Sequence, residues 1–141
     1  MFRLNYYLGV MMKQFLYSLF FVFAMFAGYA IAAEQVREVT VEDVQKFVQD
    51  KPANVAIIDA NNDDARKDAG VVPGAILLTS YNQYAMTELP KDKNTTLVFY
   101  CYNSYCQASH VAAMRAIGAG YKDARVMKAG IAGWNLANKK S

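Results

Sequence analysis

The stretch from residue 96 to residue 109 restricts the fold more than any other part of the sequence. It begins with Leu97 to Tyr100, a short apolar run rich in β-branched and aromatic residues that is typical of a buried strand. Small and apolar residues recur at helical spacing from Ala108 to Ile117, which predicts a helix directly afterwards. Between the two lies a polar loop that contains Cys101 and Cys106, so the sequence predicts a strand–loop–helix unit.

The position of this loop suits a reactive thiol. A strand that runs through a tight loop into a helix brings Cys101 beneath the N–H groups that the helix leaves unpaired at its N-terminus, and such groups bind anions. A thiolate there is stabilised by the helix dipole, which contributes about 0.3–1 kcal/mol, and by direct N–H hydrogen bonds. Cys101 is therefore the predicted nucleophile, and Cys106 is the one other cysteine of the 141-residue chain.

Apolar runs and helical patterns alternate along the rest of the chain. Thr40 is a predicted N-cap with Asp43 at the capping-box position. This alternation indicates an α/β fold, an open parallel sheet of about five strands with helices on both faces. The predicted strands cover residues 37–39, 54–60, 75–78, 97–100 and 125–127, and those at 54–60 and 75–78 are expected to be buried; the predicted helices follow residues 40 and 61–64, cover 81–89 and 108–117, and begin again at 130.

The topology also predicts where a site lies. Ligands of such sheets bind beyond the carboxyl ends of the strands, and Asp59 and Cys101 both stand at such ends, so we expect them to share a site. Zinc is not expected, because the C-x4-C pair has only His110 nearby and lacks further ligands. His110 itself fits a surface or packing role better than that of a base, since a cysteine activated by a helix end needs none. No cofactor is expected.

The first 33 residues differ from the rest of the chain. Arg3 and Lys13 precede an almost wholly apolar run over residues 15–27, and Ala30-Ile31-Ala32 forms a cleavage pattern. We predict a signal peptide over residues 1–33, with Met1, Met11 or Met12 as its start, and a domain over residues 34–141 that is periplasmic or secreted. An N-terminal inner-membrane anchor is the alternative, although the run is shorter than the roughly 20 residues of a spanning helix.

Charge excludes some partners. The chain has 15 basic and 12 acidic side chains, and two of the basic ones, Arg3 and Lys13, lie in the predicted signal peptide. The domain alone is therefore close to neutral. Neither nucleic acid nor a membrane surface is therefore an expected partner after cleavage. We expect a monomer.

Four short motifs, in order, resemble those of a single rhodanese domain, the sulfurtransferase fold, over residues 36–138. In that family the cysteine carries a persulfide that the loop N–H groups cradle, and it passes the outer sulfur to an acceptor. The resemblance implies that Cys101 is the nucleophile and that Asp59 hydrogen-bonds the loop backbone. It also implies that the protein acts on a small sulfur-containing substrate or a thiol acceptor protein. The implied cradle consists of Tyr102, Asn103, Ser104, Tyr105 and Gln107, and the matching motifs are Ile57-Ile58-Asp59-Ala60, Gly70-Val71-Val72-Pro73-Gly74-Ala75, Val98-Phe99-Tyr100-Cys101 and Ala129-Gly130-Ile131-Ala132-Gly133-Trp134.

The loop departs from the family pattern C-x-x-G-x-R. Ser104 replaces the glycine and Cys106 the cationic residue, while Asn61 and Val72 stand where the family has an arginine and a histidine. The site therefore lacks its usual positive charges, which disfavours thiosulfate, a dianion. Gln107 likewise stands where a phosphatase needs an arginine to clamp phosphate, so phosphatase activity is not expected.

Cys106 leaves several functions open. It could be a resolving thiol that attacks a Cys101 persulfide, releasing sulfide and leaving a disulfide. The same pair could be a thiol–disulfide redox couple without sulfur transfer. It could also be a structural staple in an inactive rhodanese module that only binds an anion or a peptide.

Overall fold

The structure is a computed structural model that describes residues 36–139, and the predicted signal peptide lies outside this range. Five parallel strands form one sheet, as the alternation of patterns predicts. Within the described range, no helix is long and apolar enough to cross a membrane. The strands are β1 (Arg37–Val39), β2 (Val55–Asp59), β3 (Ile76–Leu77), β4 (Thr96–Tyr100) and β5 (Ala124–Met127), and the helices are α1 (Val41–Asp50), α2 (Asp63–Ala69), α3 (Ala108–Gly118) and α4 (Gly130–Asn138).

The sheet has the order β1-β5-β4-β2-β3, which places β4 at its centre. All five residues of β4 are buried, because the strand has neighbours on both sides and helices over both faces. Its register with β2 pairs Asp59 with Tyr100, so the two strands end side by side. The loop that begins at Cys101 therefore leaves the middle of the sheet at its carboxyl edge.

Successive residues of β4 belong to two separate cores. Leu97 and Phe99 point to one face, where they pack with Ala112 and Ala116 of α3. Val98 and Tyr100 point to the other face, where the core includes residues of α1 and α4. Helices thus cover both faces of the sheet, and the predicted fold class is confirmed.

The capping prediction for α1 is confirmed at atomic detail. The Thr40 hydroxyl accepts from the Asp43 N–H at 3.1 Å, and the Asp43 carboxylate accepts from the Thr40 N–H at the same distance. The Thr40 N–H and the Thr40 hydroxyl both donate to this carboxylate and hold the pKa of Asp43 below its usual range. A capping box formed by Thr40 and Asp43 therefore satisfies two backbone N–H groups at the N-terminus of α1.

One predicted element is wrong, and another is shorter and more exposed than predicted. Residues 81–89 form a turn and then a short 3₁₀ helix, Met86–Glu88, rather than one α-helix. The buried anchors of this segment are Tyr84 and Leu89, five residues apart, and such a pair does not share one face of an α-helix. In addition, β3 has only two residues, and Leu77 is 47% exposed because β3 is an edge strand.

Candidate functional site

Cys101 follows the last residue of β4 and is buried. It is 2% exposed and belongs to the core beneath α3, on the same face of the sheet as Phe99. Cys106 lies five positions later in the loop, is partly buried, and packs against the same core. The predicted strand–loop–helix unit is present, and it places both sulfur atoms at the carboxyl edge of the sheet.

Cys101 and Cys106 form a disulfide, with their Cα atoms 6.3 Å apart. Among residues 36–139 there is no free cysteine. The two cysteines that the sequence marks as reactive are therefore in direct contact, and neither carries a thiol in this state. What the loop can do chemically depends on how this bond forms and opens.

The middle of the loop is held by Asn103. Its side-chain oxygen accepts from the Tyr105 N–H at 3.1 Å, and its carbonyl oxygen accepts from the Cys106 N–H at 3.1 Å. Two N–H groups of the loop are thus used inside the loop itself in the disulfide form. A cradle that includes the Tyr105 N–H requires Asn103 to release it.

The start of the loop is held by α4. The N–H groups of Ile131 and Ala132 donate to the carbonyl oxygens of Cys101 and Tyr102, each at 2.9 Å. Gly130 lies so close that a Cβ atom there would come within 2.6 Å of the Tyr102 carbonyl group, and its φ is +64°. Only glycine fits this contact without strain, so the family-like glycine at position 130 serves the loop directly.

The side chain of Tyr102 ties the loop to α2. Its hydroxyl donates to the Asp68 carboxylate at 2.6 Å, and this bond raises the pKa of the phenol. Tyr102 also borders a shallow groove of about 310 Å³ that includes Leu136 and Lys139. A larger groove, of about 720 Å³, lies around Val55 and Pro73, at the opposite end of β2 from the disulfide.

Ser109 is a site residue that the sequence analysis did not single out. It is 2% exposed, and its Oγ lies 3.3 Å from the Cys101 Sγ. A disulfide sulfur has no hydrogen, so the hydroxyl is the donor. A small polar residue in the first turn of a helix that follows a cysteine loop is the signal that could have identified it. Ser109, not its neighbour His110, is thus the residue of α3 that contacts this sulfur.

The expected role of Asp59 needs correction. Its carboxylate accepts from the Asn61 N–H at 2.7 Å and from Arg66 at 3.4 Å, instead of bonding to the cysteine loop. Because Asp59 pairs in register with Tyr100, its side chain lies on the face opposite Cys101. The two residues share an edge of the sheet but not one pocket.

Arg66 supplies a positive charge whose place the motifs did not reveal. It is largely buried, forms an ion pair with Asp59, and donates to the Leu78 carbonyl at 2.8 Å. Burial, and the nearby Asp59 carboxylate, raise the pKa of Tyr100, so this phenol stays protonated and accepts from the Val72 N–H. Arg66 and Asp59 therefore neutralise each other on the face of the sheet opposite Cys101, where they stabilise the fold.

Comparison with known proteins points to one family. A family model described as a rhodanese-like domain matches residues 40–137. Among curated protein sequences, none matches the chain significantly.

Solved structures resemble this one in fold at low sequence identity. A single-domain sulfurtransferase of Saccharomyces cerevisiae, RDL2, has a TM-score of 0.62 and 16% identity, with 79% of this chain and 98% of that chain covered. The human single-domain sulfurtransferase TSTD1 has a TM-score of 0.56 and 18% identity, with 72% and 97% covered. The BH2092 protein of Bacillus halodurans has a TM-score of 0.63 and 20% identity, with 72% and 73% covered.

Proposed function

Since this chain belongs to the rhodanese-like domain family, we propose that it is a persulfide-handling sulfurtransferase with Cys101 as nucleophile and Cys106 as resolving thiol. The disulfide is the observation that carries the proposal, because it places the Cys106 sulfur within bonding reach of the Cys101 sulfur. A thiol with that reach can attack any sulfur species that Cys101 carries. The family resemblance supports the sulfur chemistry, and the loop supports the added role of Cys106.

Loading begins from the reduced loop. The Cys101 thiolate attacks the outer sulfur of a donor, either thiosulfate or a persulfide, and the donor's own sulfur–sulfur bond breaks. Cys101 becomes a persulfide, and sulfite or a thiolate leaves with the electron pair. In the proposed cradle, the N–H groups of Tyr102 to Gln107 surround the outer sulfur. Arg66 is already paired with Asp59, so a donor of low charge suits this site better than a dianion.

The loaded sulfur has two fates. An acceptor thiolate can attack the outer sulfur and leave as a new persulfide, which returns Cys101 to its thiolate. Alternatively, the Cys106 thiolate attacks the Cys101 sulfur, the outer sulfur leaves as hydrosulfide, and the disulfide forms. The second fate oxidises Cys106 and reduces the outer sulfur, while Cys101 keeps the oxidation level that it had in the persulfide, so electrons balance without another reactant.

The test is the lifetime of the persulfide. Cys106→Ser removes the resolving thiol, so the Cys101 persulfide is expected to last longer while transfer to cyanide or an added thiol holds steady or rises. Cys101→Ser is the matched control and is expected to lose both loading and transfer. Mass spectrometry of the intact protein after donor addition follows the extra sulfur. Equal decay in wild type and Cys106→Ser would contradict the role of Cys106.

A thiol–disulfide redox protein is the second candidate, and the disulfide itself favours it. The intact mass of the reduced protein, followed after donor addition, separates the candidates, because the resolving step also ends in the disulfide. Gain of one sulfur atom before the disulfide forms supports sulfur transfer, and loss of two hydrogen atoms without that intermediate supports the redox couple. Neither change supports a non-catalytic binding module of rhodanese fold.

The setting of the reaction is also a proposal. The N-terminal sequence pattern supports export to the periplasm or beyond, where disulfides form readily. We also propose a monomer whose partner is a small sulfur compound or a thiol acceptor protein. N-terminal sequencing of the protein from its native host tests this, with a first residue near Ala33 as the expected result.

A further inference from the structure

The two sulfur atoms of the disulfide differ in their access to solvent. Cys101 is 2% exposed and lies in the core beneath α3, whereas Cys106 is only partly buried. The residue before Cys106 is Tyr105, which is 90% exposed, and the residue after it, Gln107, is also exposed. In the disulfide form, an external thiolate can therefore approach Cys106 from solvent, whereas Cys101 is covered.

The two sulfur atoms also differ as leaving groups. The buried Ser109 hydroxyl lies 3.3 Å from the Cys101 sulfur, at the start of the 11-residue helix α3. A negative charge that develops on Cys101 meets this donor and the positive end of the helix dipole. Thiol–disulfide exchange is faster when the leaving thiol is stabilised as a thiolate. Access and leaving-group stability thus favour the same direction of opening.

We propose that the disulfide opens in one direction, by attack of an external thiolate on Cys106 with Cys101 as the leaving group. The new bond joins the external sulfur to the Cys106 sulfur. The Cys101–Cys106 bond breaks, and its electron pair moves to Cys101, where Ser109 and the helix N-terminus hold the thiolate. Cys106 is then the residue that carries the mixed disulfide.

A dithiol reductant completes the reaction. Its second thiolate attacks its own sulfur in the mixed disulfide, and Cys106 leaves as a thiolate that takes a proton from water. The reductant becomes a disulfide, and the loop gains two electrons. The inference rests on the proposed function, because this step restores the nucleophile after each release of sulfide. The partner class is therefore a dithiol protein or small dithiol that docks at the Cys106 side of the loop.

The first experiment locates the mixed disulfide in the wild-type protein. The oxidised protein is mixed briefly with reduced glutathione, quenched in acid and alkylated with N-ethylmaleimide, and its peptides are sequenced by mass spectrometry. Glutathione on Cys106 with the alkyl group on Cys101 is expected in at least tenfold excess. Glutathione mainly on Cys101, or equally on both, overturns the proposal.

The second experiment tests the leaving group. Ser109→Ala is expected to slow the opening of the disulfide by several-fold to about tenfold, as loss of a hydrogen bond to a charged group implies. Val111→Ala, at an exposed position of the same helix, is the control and should open at the wild-type rate. In a Cys106→Ser background, Ser109→Ala should also raise the pKa of the Cys101 thiol, followed by thiolate absorbance at 240 nm. An unchanged rate and an unchanged pKa would remove Ser109 from the proposal.

These readouts are independent of sulfur transfer. The position of glutathione is measured with no sulfur donor present, so it can fail while the persulfide of Cys106→Ser still outlives that of the wild type. Conversely, one-directional opening with no effect of Cys106→Ser on persulfide lifetime would leave the exchange chemistry in place and remove the resolving role of Cys106. The two proposals therefore fail separately.

Discussion

The cysteine loop has two halves that the fold treats differently. In the anchored half, Cys101 and Tyr102, both backbone carbonyls accept N–H groups from α4, and Gly130 packs against the peptide between Tyr102 and Asn103. In the open half, Asn103 to Cys106, the observed backbone hydrogen bonds close back on Asn103. The nucleophile thus stands on backbone fixed by the core, while its partner cysteine stands on backbone that only the loop itself supports.

The difference matches what the two cysteines must do. A nucleophile gains from a fixed position, because its thiolate must stay beside Ser109 and the helix end. A resolving thiol has to move between a bonded and an unbonded position, which needs a segment with few contacts to the core. The following substitutions test the contrast, from the largest expected effect to the smallest.

Gly130→Ala attacks the anchored half. The added Cβ would meet the Tyr102 carbonyl group at 2.6 Å, and a residue other than glycine is strained at φ +64°. We expect the free energy of unfolding to fall by about 2–4 kcal/mol, measured by urea denaturation of the oxidised protein. Gly118→Ala is the control, because nothing lies within 4 Å of its Cβ, and it should be neutral or slightly stabilising. Equal effects of the two changes would mean that α4 does not fix the loop.

Asn103→Ala attacks the open half. The change removes the side-chain acceptor of the Tyr105 N–H, so stability should fall by about 0.5–1.5 kcal/mol and this amide should exchange faster with deuterium. Asn103→Asp keeps an acceptor and should retain slow exchange. A loss of stability as large as that of Gly130→Ala would show that both halves are equally integrated into the fold.

Tyr102→Phe removes the bond between the loop and α2. The bond is exposed, so we expect a smaller loss of thermal stability than from Asn103→Ala. The Asp68 bond raises the phenol pKa above its ordinary value near 10, so its contribution is present below that pH and is lost as pH rises through the folded pKa. The difference in Tm between wild type and Tyr102→Phe should therefore vanish at high pH. A difference that persists there would assign the effect to packing.

Tyr105→Ala should change least. The ring is 90% exposed at the tip of the open half, so stability should stay within about 0.5 kcal/mol of the wild type. The rate of disulfide opening by glutathione should also stay unchanged, since a small thiol does not need this ring. A large loss of stability in urea denaturation would contradict the description of this half as open.

Most of the fold could be predicted because its signals are local. Continuous apolar runs mark β2 and β4, which are buried on both faces, and Thr40 with Asp43 marks the start of α1. The segment at residues 81–89 failed because its conformation depends on distant contacts. The Tyr84 hydroxyl donates to the Ala112 carbonyl, and Glu88 accepts from the Thr79 N–H. A propensity for helix cannot anticipate these bonds.

The site was predictable only in part for the same reason. The cysteines and their position at a strand end follow from the sequence pattern. Asp59 forms its ion pair with Arg66, seven residues later, and the loop is held by residues 130–132, about thirty residues downstream. Ser109 needed the helix to turn its hydroxyl toward the sulfur. Each of these contacts arises when elements pack, so the sequence can mark a candidate such as Ser109 but does not show what it contacts.

Because β4 contributes to two separate cores, the fluorescence of Trp134 can report on one of them alone. Trp134 is the only tryptophan of the chain, and it belongs to the same core as Tyr100, on one face of the sheet. The disulfide packs against the core on the other face. Disulfides quench indole emission through close contact, and here the sheet separates the two groups. Trp134 emission, excited at the red edge of its absorption, should therefore change when the domain unfolds and change little when the disulfide is reduced. Unfolding can thus be measured by Trp134 fluorescence in the same sample in which disulfide opening is followed, without interference between the two measurements.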